Sequence, residues 1–205
     1  MTIVDKITKP QDCFLGMCLP VTKEDFFKSL ETDSNKTYSK IRQRQLKYNR
    51  ESLWEIDHFP LVRLFLEKKK ELEKLGVKVC LNFSLADFKQ IQNYDVATIF
   101  AHHDDKLNMV ELFDGMQNVD IIIKSMPNDY DRILDMTMCR SISLQTAVTR
   151  HFKNCIIAAN KMETNPEFRL LCYSKTISLL QSENINYIDA IARVRILLIN
   201  SMKKK

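Results

Sequence analysis

Short apolar runs alternate with longer amphipathic stretches along this chain of 205 residues, and few architectures accept such an alternation. A parallel sheet covered by helices does, because its strands are buried on both faces and each crossover between them needs a connecting helix. The strand candidates are Cys13 to Val21, Val77 to Phe83, Val96 to His102, Arg132 to Cys139 and Cys155 to Ala159. The expected fold is therefore α/β: a three-layer sandwich with a mostly parallel central sheet of about five to six strands and helices on both faces. No repeat and no long linker divides the chain, so residues 1–205 read as one domain.

Local signals place the helices and turns. Thr22 with Asp25 and Ser84 with Asp87 read as capping boxes. Gly76 ends a helix that begins near Pro60. Asn165 followed by Pro166 opens a long helix, and another runs from about Tyr187 to Met202. "VELFDG" reads as a hairpin with Asp114 in its turn, since Asp-Gly favours tight turns. Trp54, Phe26, Phe27 and Phe65 stand at helical spacings that suggest packing.

Composition narrows the function. Hydrophobic residues are 45% and charged residues 28%, as in ordinary globular proteins rather than disordered ones. The longest apolar runs reach about seven residues against the roughly 20 of a membrane helix, so no membrane partner is expected. The opening "MTIVDKITKPQDCFLG" has charges where a secretory signal needs apolar residues. Six cysteines without a Cys-x-x-Cys pair suggest reduced thiols, hence a cytoplasmic location, and no zinc site. Only Gly16, Gly76 and Gly115 are present, so neither glycine-rich phosphate loop can be written. No cofactor is expected. The stretch from Lys36 to Arg50 is basic and has no acid; it reads as a solvated helix face, with nucleic acid not expected as a partner.

Two segments stand out chemically. "VATIFAHHDD" ends an apolar strand in two imidazoles, and "RILDMTMCRS" ends the next strand in a thiol. In open α/β sheets the ligand site lies beyond the carboxyl ends of the strands. If the two strands are neighbours, Cys139 and a histidine face each other there as nucleophile and base. Cys139 also precedes a helix start, whose unpaired N–H groups favour a thiolate and could stabilise an oxyanion. His58 and His151 lie in polar helical or irregular context and suit surface roles.

A histidine after an apolar strand, an excursion with glycine, a helix, and an apolar strand ending in cysteine together resemble the caspase fold, particularly the CHAT-domain cysteine peptidases. The matching residues are Thr98 to His103, Val110 to Met116 and Arg132 to Ser141. The resemblance implies an intracellular cysteine endopeptidase with a His-Cys dyad, acting on a protein or peptide substrate and switched on by an activating protein partner, as in prokaryotic signalling or defence modules. Carried over, Cys139 is the nucleophile. Either histidine could be the base, and His102 is preferred because it ends the apolar strand directly. Asp135 would offer negative charge to a basic substrate residue; a salt bridge or a solvated strand edge is its other reading. The chain departs from the family in lacking glycine after the histidine and after the cysteine, which leaves a catalytically silent interaction module as the alternative. A receiver-like signalling domain would need an acidic cluster at the strand ends, of which Asp104 and Asp105 supply only part.

Overall fold

The computed structural model describes residues 3, 5–31, 50–104, 106–136, 141–159 and 165–202. Most of the basic stretch from Lys36, together with Asp105 and Cys139, lies outside the described residues.

Five parallel strands form the central sheet: β1 (Cys13–Met17), β2 (Lys78–Cys80), β3 (Val96–Phe100), β7 (Ile133–Asp135) and β8 (Ile156–Ala158). Their spatial order is β2-β1-β3-β7-β8. The chain steps outward from β1 to β2 and then returns to the other side of β1, so the order reverses between β1 and β3. In such sheets a crevice opens at that point, beyond the carboxyl ends of the strands. A second, antiparallel sheet of β4 (His102–Asp104), β5 (Met109–Leu112) and β6 (Gly115–Asn118) follows β3 directly.

Among the described residues the longer α-helices are α1 (Lys23–Glu31), α2 (Phe59–Lys74), α3 (Val119–Ser125), α4 (Ile142–His151), α5 (Pro166–Ser182) and α6 (Tyr187–Met202). A π-helical stretch, Leu53–His58, leads into α2. Alternation along the strands sorts the core into two layers. Phe14, Ala97, Ile99, Leu134 and Met136 pack against the small sheet, α3, α4 and the 3-10 helix Leu85–Asn93. Cys13, Leu15, Val96, Phe100 and Ile133 pack on the opposite face against α2, α5 and α6. The result is a three-layer α/β sandwich, the fold class read from the sequence.

Several strand boundaries differ from expectation, and the first strand stops at Met17 rather than Val21. The third strand ends at Phe100 rather than His102, because its last bond to β1 is the Cys18 N–H donating to the Phe100 carbonyl at 3.0 Å. Beyond it, His102 opens a new strand that pairs with β5. The second strand stops at Cys80, and Asn82 then takes a left-handed conformation (φ 55°) that extended pairing does not accept.

Candidate active site

The carboxyl edge of β1 and β3 is closed by main-chain bonds. Phe83 N–H donates to the Met17 carbonyl at 2.7 Å, and Phe113 N–H donates to the Phe83 carbonyl at 3.0 Å. The Asp114 carboxylate accepts from Leu85 N–H at 3.2 Å, so the turn residue foreseen from "FDG" also pins the small sheet to the edge. Asp104 is a turn residue as well: its Oδ1 accepts from the N–H groups of Lys106 (3.0 Å) and Leu107 (3.1 Å). Asn108 completes that turn with φ 53°.

The two histidines take opposite faces of β4. His103 pairs with Val110, and both are buried on the core side, His103 with only 3% of its surface exposed. His102 pairs with Glu111 on the half-exposed face. His102 therefore stands on the solvent side of the small sheet and His103 on its core side. Strand alternation was legible in "HHD"; which face meets the core was not.

β7 points toward the segment that contains Cys139, which lies outside the described residues. β3 and β7 are hydrogen-bonded neighbours in parallel register, with Thr98 beside Asp135. The chain returns at Ser141, fully buried, and enters α4, where no Ser141 side-chain cap occupies the first-turn N–H groups.

Asp135 is not at an open surface. It is 5% exposed, and its Oδ2 accepts a hydrogen bond from the Tyr187 hydroxyl at 2.8 Å. The Tyr187 oxygen lies 3.0 Å from Thr98 Oγ1. A phenol has one proton and donates it here to Asp135, so the Thr98 hydroxyl is the donor to Tyr187. Burial, with Asp135 next in effect, pushes the Tyr187 phenol well above its ordinary value and keeps that proton in place. Tyr187 and Thr98 escaped sequence reasoning because their partners are 89 and 52 residues away. Tyr187 was visible only as an apolar-face position of the last helix.

Compared with known proteins, the chain matches no family model, no curated protein and no solved structure.

The other cysteines and histidines have structural settings. Burial raises the thiols of Cys13, Cys18, Cys80 and Cys172 above the ordinary value, and pushes Cys155 up to about 12. At neutral pH these five carry little thiolate and are poor nucleophiles. His58 stacks on Phe26 (centroids 4.4 Å apart, 26° between planes) and donates from Nε2 to the Pro20 carbonyl at 2.7 Å. His151 is exposed at the end of α4.

Proposed function

We propose that this chain is a cysteine endopeptidase of caspase-like type, with Cys139 as nucleophile and His102 as general base. The observation that supports it most is register. β3 and β7 pair with a constant offset, Val96 beside Ile133 and Thr98 beside Asp135, 37 positions on. Cys139 follows His102 by that same 37. Paired parallel strands direct the segments that carry the two groups out of the same edge of the sheet, β3 ending at Phe100 and β7 at Asp135, and His102 itself is half-exposed.

The chemistry follows from those two groups. His102 takes the thiol proton, and the thiolate attacks the carbonyl carbon of a peptide bond. The tetrahedral oxyanion is held by N–H groups at the start of α4. As it collapses, the C–N bond breaks, His102 gives its proton to the leaving amine, and an acyl-enzyme remains. Water, deprotonated by His102, attacks the acyl carbon and restores the thiol. The reading carries with it a cytoplasmic setting and a protein partner that activates the enzyme. No helix among the described residues is long and apolar enough to cross a membrane.

Thiol labelling tests the proposal. With iodoacetamide at neutral pH, Cys139 should react far faster than the other five cysteines, and His102→Ala should slow it on the order of a hundredfold. Equal, slow labelling of all six would sink the dyad. Recognition of a basic substrate residue by Asp135 is tested separately with a peptide library. A preference for Lys or Arg that survives Asp135→Ala assigns recognition elsewhere, as the bond between Asp135 and Tyr187 already favours.

A further inference from the structure

We infer that Tyr187 is a positioning residue: its hydroxyl ties together the two strands that lead to His102 and Cys139. The inference rests on the dyad reading above.

Thr98 and Asp135 are register partners on β3 and β7. Each stands four positions before the member of the dyad on its own segment. The Tyr187 hydroxyl accepts from one at 3.0 Å and donates to the other at 2.8 Å. It is thus a side-chain rung across the pair of strands, added on the α6 face of the sheet.

Among the described residues Ile133–Asp135 pair with β3, while Met136 N–H donates to the Ala158 carbonyl on the other side, in β8, at 2.9 Å. The rung adds a side-chain link at the last of the described register pairs between β3 and β7. Tyr187 is itself anchored. It is fully buried, and its N–H donates to Thr8 Oγ1 at 3.2 Å, while the Thr8 N–H donates to the Ile185 carbonyl at 3.2 Å. A thiol and an imidazole from separate strands must keep their separation within about an ångström, since misplacement of that size can cost on the order of a hundredfold in rate.

Iodoacetamide labelling, resolved by cysteine, separates positioning from a general contribution to the fold. Tyr187→Phe deletes the hydroxyl and keeps the ring. The expected result is that Cys139 labelling slows by on the order of tenfold to a hundredfold, while the buried Cys13 and Cys155 keep their slow rates. A merely structural loss does the opposite, accelerating Cys13 and Cys155 as the core opens, and that result would overturn the inference. So would an unchanged Cys139 rate. Thr98→Val breaks the same rung from β3 and serves if Tyr187→Phe does not fold; Thr98→Ser restores the donor and should restore the rate. The unsubstituted protein is the control for the dyad: if its Cys139 is no faster than the other thiols, the dyad falls and the rung with it. A fast Cys139 indifferent to Tyr187→Phe removes the rung alone.

Discussion

A methyl group on Gly16 would stand 2.7 Å from the Phe83 ring and 2.9 Å from Ile99 Cδ1. Gly16 lies mid-strand in β1, between β2 and β3, so the backbone cannot retreat without breaking pairs on both sides. Phe83 is fully buried and held edge-on against Phe14 and Phe88, which denies it an alternative rotamer. Gly16→Ala should therefore destabilise the protein by about 1–3 kcal/mol, read as a lower midpoint in urea unfolding. An unchanged midpoint would show that the ring can move. Nothing in "FLGMC" announces this crowding, because Phe83 arrives from far along the chain. The histidines illustrate the same division. That His102 and His103 point to opposite faces is a property of extended backbone; that His103 is the buried one depends on Val110 across the hairpin.

Helix starts were the most legible elements, because a cap is chemistry between near neighbours. Thr22 Oγ1 accepts from Asp25 N–H at 3.1 Å, and Asp87 accepts from Ser84 N–H at 2.8 Å, both as the capping-box spacing foretells. Asn165 Oδ1 accepts from the N–H groups of Glu167 (2.7 Å) and Phe168 (3.3 Å) ahead of Pro166. Replacing it with alanine leaves those donors to water, so Asn165→Ala should cost about 1 kcal/mol, measured by thermal or urea unfolding. No loss would mean that solvent caps α5 equally well. Strand ends were less legible. "VATIFAHH" is apolar to Ala101, yet β3 stops at Phe100, because a strand ends where its neighbour's donors end and not where its own hydrophobicity does. The π-helical stretch before α2 had no readable signal. It is accompanied by tertiary stacking of Trp54, Phe26 and His58, contacts across roughly one turn and across the chain that no local spacing specifies.

Buried acids of weak ionisation give the whole molecule a characteristic pH response. Cys155 rises from an ordinary 9.0 to about 12, chiefly through desolvation. Cys13 goes higher still, and Tyr130, Tyr173 and Tyr187 are all pushed well above the ordinary phenol value by burial. A folded value above the unfolded one means that the unfolded chain releases protons first. The stabilisation from keeping these groups neutral is complete below the unfolded values and disappears as pH climbs through the folded ones. For Cys155 that window runs from about 9 to about 12. The urea midpoint should thus hold steady up to about pH 8 and fall progressively above about pH 9. A flat profile to pH 11 would contradict the burial of these groups.

The alternation of runs, the capped helix starts and the Asp-Gly turn come from backbone periodicity and bonds between residues a few positions apart, so the chain written as letters already implied a three-layer α/β sandwich. It also set an imidazole after one apolar run and a thiol at the end of a later one. The order β2-β1-β3-β7-β8, the burial of His103 rather than His102, and the gathering of Thr98, Asp135 and Tyr187 belong to the folded molecule alone. Those depend on which apolar faces are buried together, a choice made among segments distant in sequence and settled by the packing of the entire core.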